Sequence, residues 1–166
     1  MNLESPIISG EYSIEKNLRL DFICLNGPDH QLGKDQPGYI LGYTEELLDK
    51  NFGSILVAGL GLGMVPYVVQ DFCSVIDVLE IEQDIINCIN QLGHLDDKVN
   101  IMHGDALTYV PERKYDVILH DIWYHEIPDE MTDQIIEQYR PYLNDGGFIY
   151  IPINHIKSPN KLKIYK

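Results

Sequence analysis

A doubly wound α/β fold with a mostly parallel sheet follows from three features of this 166-residue sequence. Five short apolar runs recur between residues 54 and 153, segments of helical spacing separate most of them, and the first run opens directly into a cluster of glycines. Strands buried on both faces read as continuous hydrophobic runs, because helices cover a parallel sheet above and below. The length fits one domain with a sizeable core. A hydrophobic content of 45% places the chain among globular proteins.

Residues 11–26 alternate partially and contain no glycine or proline, which predicts one or two strands in a small N-terminal β element. Gly27-Pro28 marks a turn, and Gln31 to Gly38 reads as a polar loop. Tyr43 to Lys50 predicts a short helix. Ser54 to Ala58 is the first fully buried strand, followed by the glycines and a helix over Val65 to Phe72. Val75 to Ile81 predicts the second strand, and residues 85, 86, 89 and 92 give Asp84 to Leu92 helical spacing. Val99 to Met102 predicts a third strand, Ala106 to Val110 a short helix, and Tyr115 to His120 a fourth strand. Asp129 to Tyr142 predicts a helix with Ile135, Ile136, Tyr139 and Leu143 on one side, ended by Asn144-Asp145-Gly146-Gly147. Phe148 to Ile153 is the fifth strand. The expected organisation is a single domain over 1–166: an N-terminal β element and loop (1–38), a core (39–153) and a basic tail (154–166) read as a solvated terminus.

The net charge is −14, and four of the twelve basic residues (Lys157, Lys161, Lys163 and Lys166) lie in the last ten positions. Nucleic-acid affinity comes largely from neutralising phosphates, so so acidic a body argues against DNA or RNA as partner. A small neutral or cationic substrate suits it, and a surface kept acidic for solubility explains it equally well. No apolar run approaches the ~20 residues of a membrane span, and no basic-then-apolar leader opens the chain. The expectation is a cytoplasmic protein without membrane partners. Cys24, Cys73 and Cys88 share no metal-ligand spacing, and an odd number argues against a disulfide framework.

In open α/β sheets, ligands sit beyond the carboxyl ends of the strands where strand order reverses. The first strand-to-helix turn is Gly59-Leu60-Gly61-Leu62-Gly63-Met64. Glycines let backbone approach a ligand closely, and the next helix offers free N–H groups. The spacing is G-x-G-x-G; Met64 stands where a dinucleotide fingerprint needs its third glycine. Glu80 ends the second strand, where a carboxylate can accept hydrogen bonds from both ribose hydroxyls. Asp105, in His103-Gly104-Asp105-Ala106, is placed to accept from an adenine amino group, although it can equally cap a following helix. Asp121 follows the fourth strand at the edge of the same pocket.

These motifs, together with Tyr115-Asp116-Val117-Ile118, resemble the series of the class I S-adenosylmethionine-dependent methyltransferases, whose sheet is Rossmann-like. Within that group they are most similar to the spermidine synthase branch, through Val57 before the glycines, Leu79-Glu80-Ile81-Glu82 and Tyr43-Thr44-Glu45-Glu46-Leu47. The resemblance implies S-adenosyl-L-methionine as cofactor, held by Gly59, Gly61, Gly63, Glu80, Asp105, Ala106 and Asp121, and a small-molecule substrate. Four departures favour methyl transfer over aminopropyl transfer. Leu62 replaces an Asp of that branch, Thr44 replaces a His, Ile122-Trp123-Tyr124-His125 replaces its substrate-gating loop, and the core is shortened at the C-terminus, with Ile156 to Tyr165 as the only candidate for its closing strands.

Asp121 and His125 are the catalytic candidates. Asp121 would lie by the sulfonium, where it could orient or deprotonate an amine, and the unperturbed pKa of His125 suits a general base. His120, His125 and Glu126 are too few for a convincing metal centre, so no metal is expected. Trp123 and Tyr124 form either an aromatic wall or ordinary packing. Three functions stay open: a small-molecule methyltransferase, an aminopropyltransferase of polyamine synthesis, and a non-catalytic nucleoside-binding or assembly module. An open sheet edge would need cover, which a homo-oligomer would supply.

Overall fold

The computed structural model describes residues 3–17, 22–29, 31–34, 52–122, 129–152 and 162–165. The strands are β1 (Ile7–Ser9), β2 (Tyr12–Asn17), β3 (Phe22–Asn26), β4 (Gln31–Lys34), β5 (Phe52–Ala58), β6 (Cys73–Glu80), β7 (Val99–His103), β8 (Tyr115–His120), β9 (Leu143–Pro152) and β10 (Leu162–Tyr165). The helices are α1 (Met64–Val69), α2 (Gln83–Leu92) and α3 (Asp129–Tyr139), the last followed by a 3-10 turn at Arg140–Tyr142. The helix expected over Tyr43 to Lys50 lies outside the described residues, as do His125, Trp123, Tyr124 and Glu126.

Six strands form the main sheet in the order β10-β9-β8-β5-β6-β7. The neighbours from β9 to β7 pair in parallel, and β10 runs antiparallel to β9. The chain steps outward from β5 to β6 and β7, then returns to the other side of β5 with β8 and β9. The order therefore reverses between β5 and β8, the place where open α/β sheets bind ligands.

Alternation along each strand sends side chains to opposite faces. One face carries Ile55, Val57, Ile76, Val78, Val117 and Leu119, packed with Ile85, Ile86 and Ile89 of α2. The other carries Leu56, Ala58, Leu79, Ile118 and Ile149, packed with Ile135, Ile136 and Tyr139 of α3. Both faces are covered, so the strand sequences show no polar alternation. A second, antiparallel sheet of order β1-β2-β3-β4 adds Ile14, Ile23 and Leu25 to the α2 face. Ser9 Oγ ties it to α2 by donating to Asp84 Oδ1 at 2.6 Å. Cys24, Cys73 and Cys88 are buried, and burial pushes the Cys73 thiol up to about 11. Among the described residues no helix is long and apolar enough to cross a membrane.

Four local expectations need correction. Gln31 to Lys34, read as loop, is β4, paired antiparallel with β3. Ala106 to Val110 is not helical; a turn covers Ala106 to Thr108. Asn144 to Gly147 does not simply end a helix but lies within β9, where pairing jumps from Tyr115↔Leu143 to Val117↔Phe148. Asn144 Nδ2 donates to Asp116 Oδ1 across this bulge at 2.7 Å, which gives the extra residues a fixed place. Finally, of the two readings of the tail, a solvated terminus or a remnant closing strand, Leu162 to Tyr165 takes the second: it is strand β10, with Lys163 opposite Ile151 and Tyr165 opposite Ile149.

Candidate functional site

The carboxyl ends of β5, β6, β7 and β8 bring the predicted residues that are described, all but His125, to one edge of the sheet. Behind β5, the turn buries its two leucines and also Gly63, and leaves Gly59 and Gly61 half-buried. Leu60 and Leu62 are buried in the core, at 4% and 3% exposure. Leu62 is therefore a packing residue, which accounts for an apolar side chain where the spermidine synthase branch has an acid. Gly59 has φ 97, its N–H donates to the Leu79 carbonyl at 2.9 Å, and a Cβ there would collide with the Asp121 carbonyl. Only glycine combines that backbone angle with so close an approach. The Asp121 N–H in turn donates to the Ala58 carbonyl at 2.7 Å, locking the ends of β5 and β8 together. Gly61 also has positive φ, but a Cβ there would meet nothing within 4 Å. That side of the turn is open.

Glu80 ends β6 buried, at 7% exposure. One carboxylate oxygen accepts from the Leu60 N–H at 3.1 Å, the other from the Glu82 N–H at 3.0 Å. The carboxylate thus braces the glycine turn from the neighbouring strand. Each oxygen keeps acceptor capacity for a further donor. Its surroundings are acidic: burial first, then the carboxylates of Glu82, Glu80, Glu11 and Asp84, raise the Tyr12 phenol above its usual value. Ile81, the next residue, is an apolar side chain 57% exposed at the same edge. Sequence reading assigned it only to a strand; an apolar residue directly after a strand-ending acid was the available signal.

Beyond β7, Asp105 Oδ1 accepts from the Leu107 N–H at 2.9 Å, and the Asp105 carbonyl accepts from the amides of Thr108 and Tyr109. The side chain caps a turn where a helix had been expected. Ala106 is buried, and its carbonyl accepts from Gln138 Nε2 at 3.0 Å and from the Tyr139 hydroxyl. Helix α3 thereby anchors the Asp105–Ala106 turn through Tyr139, expected on the apolar side of the helix, and Gln138, which the sequence did not single out. Asp121 follows β8, half-buried beside Gly59.

Two histidines flank these elements. His120 closes β8 with no exposed surface, its ring edge-on to Tyr139 at 5.8 Å between centroids. Burial lowers its pKa from 6.5 to about 4, so the ring is neutral at physiological pH. His94, after α2, lies behind the glycine turn against the Leu62 and Gly63 backbone. Among the described residues no group of three or more His, Cys, Asp and Glu has the arrangement to hold a metal ion.

No family model and no curated protein matches this sequence. Solved structures do. One is DhpI in its complex with SAM and HEP, at 21% identity over 66% of this chain, with a TM-score of 0.57. The N-methyltransferase NodS from Bradyrhizobium japonicum, in complex with S-adenosyl-L-homocysteine, is 16% identical over 70% of this chain, with a TM-score of 0.57. Haemonchus contortus phosphoethanolamine N-methyltransferase 1, with phosphoethanolamine and S-adenosylhomocysteine, is 14% identical over 69%, with a TM-score of 0.59. The chain spans 51%, 62% and 25% of the lengths of these three. The likeness gives the spermidine synthase branch no support. What this chain shares with them is the fold, the Rossmann-like α/β sheet of the class I methyltransferases.

Proposed function

We propose that this chain binds S-adenosyl-L-methionine and transfers its methyl group to a small molecule, with an amine as the favoured acceptor. One observation carries the reading: an open G-x-G-x-G turn, a buried strand-ending carboxylate and two further acids stand on four adjacent strand ends at the reversal of strand order. The structural neighbours solved with SAM or its demethylated product support it. The residues fit such a ligand. The open side at Gly61 leaves room for a ligand against backbone, and the spare acceptor capacity of Glu80 suits a ribose diol. The second oxygen of Asp105 suits an exocyclic amine.

When bound, S-adenosylmethionine supplies a methyl group on a sulfonium, a leaving group that needs no activation by the protein. The chain has then to exclude water and hold an acceptor in line, which is where much of the rate arises. Asp121, beside Gly59, would orient the acceptor and take its proton, and His125 is the second candidate for that proton. The acidic surroundings at Glu80, Glu82 and Asp84 favour a cationic or amine-bearing acceptor.

Calorimetry and thermal unfolding with S-adenosylmethionine, S-adenosylhomocysteine and NAD test the reading. Saturation at about a hundred times Kd stabilises the folded state by ~2.7 kcal/mol. Both adenosyl ligands should give such a shift, and NAD none, because Met64 occupies the position of the third dinucleotide glycine. Absence of any shift with both adenosyl ligands at millimolar concentration would refute the proposal.

A further inference from the structure

The loop after α2 grips α1 at both ends. The Asp96 N–H donates to Gln70 Oε1 at 2.9 Å, just past the end of the helix. At the other end, His94 Nε2 lies 2.9 Å from the point a Cβ on Gly63 would occupy, and the Tyr67 ring stands 5.7 Å from the His94 ring. The His94 ring nitrogens are buried without a well-aligned hydrogen bond among the described residues. The ring packs against the Leu62 and Gly63 backbone, filling the space behind Gly63. Burial lowers the pKa of His94, and the Leu62 and Gly63 backbone opposes that shift in part.

Support is needed here. Helix α1 has six residues, one of them Pro66, too few to hold a helical shape alone. The turn before it has three glycines at positive φ, and glycine readily leaves any one conformation. Gly63 N–H donates to the Leu60 carbonyl at 2.8 Å within the turn, and Tyr67 N–H donates to the Gly63 carbonyl at 3.0 Å, joining turn to helix.

We propose that His94 is a positioning residue for the adenosyl-ligand site: its ring wedges the back of Gly63 and holds the glycine turn in the shape that leaves the Gly61 side open. As to the ligand, this rests on the function proposed above; the wedge itself does not. A turn ordered beforehand loses less freedom on binding, so affinity rises without any contact between His94 and the ligand.

Amide hydrogen exchange on the full chain, as wild type, His94→Ala and His94→Phe, tests the wedge, and S-adenosylhomocysteine calorimetry tests its consequence. In His94→Ala the Gly63 and Tyr67 amides should exchange about tenfold faster while those of Val57 and Val78 stay unchanged, as in a local opening. Affinity should fall about tenfold, and His94→Phe, which keeps a ring, should recover most of both losses. Unchanged exchange at Gly63 and Tyr67, or equal acceleration throughout the sheet, would overturn the proposal. So would unaltered affinity in His94→Ala. Wild-type protein that binds no S-adenosylhomocysteine would instead refute the adenosyl reading, and the exchange pattern would still decide the wedge.

Discussion

Acidification from pH 8 to pH 5 should weaken the fold through His120. The ring has no exposed surface, and neither nitrogen has a hydrogen-bond partner among the described residues. An imidazolium there would lose its hydration with nothing in exchange, which is why burial lowers the pKa from 6.5 to about 4. Because the folded-state value lies below the unfolded one, the unfolded chain holds the extra proton between them. Stability is therefore full above about pH 6.5 and is lost as the pH falls toward the folded value. Each pH unit between the two values carries ~1.4 kcal/mol. The loss is then about 2 kcal/mol at pH 5 and about 3 kcal/mol below both values, a sizeable share of a typical ~5–15 kcal/mol. Urea denaturation at pH 8, 7, 6 and 5 should be run on the wild type and on His120→Phe, which keeps a ring against Tyr139 and cannot titrate. Between pH 8 and pH 5 the wild type should lose about 2 kcal/mol more than the variant. His94 titrates in both proteins, so the difference isolates His120. Parallel stability profiles for the two would refute the reasoning.

Glu80→Ala removes the acceptor from two backbone amides and should cost about 1–3 kcal/mol of stability, measurable by urea denaturation; a cost near zero would rule out the bracing role. If Glu80 also holds the ribose, Glu80→Ala should weaken S-adenosylhomocysteine binding by about tenfold to a hundredfold, and undiminished affinity in folded protein would remove that assignment. Gly59→Ala meets the Asp121 carbonyl as well as an unfavourable φ and should destabilise by at least about 2 kcal/mol. Gly61→Ala faces open space and should cost only about 1 kcal/mol of strain while losing adenosyl-ligand affinity. Equal thermal stability of these two variants would contradict the geometry of the turn.

The sequence by itself determined the framework. Strands β5, β6, β7 and β8 were legible to within a residue or two, since burial on both faces writes a local apolar signal into the chain. Once strand ends are known, the acids and glycines that follow them are known too, so Gly59 to Gly63, Glu80, Asp105 and Asp121 could be placed at one edge. Strand β4 was not legible, and β10 was one of two readings of the tail: both owe their form to backbone pairing with β3 and β9, which leaves little mark on side-chain pattern. The turn after Asp105 looked helical because its true partners, Gln138 and Tyr139, come from about thirty residues further on. Only the tertiary structure decided that Leu62 faces the core, that Glu80 braces the Leu60 amide twenty residues away, and that His94 lies behind Gly63. Apolar periodicity is a property of neighbouring residues, whereas a hydrogen bond or wedge across distant segments exists only when the fold brings them together.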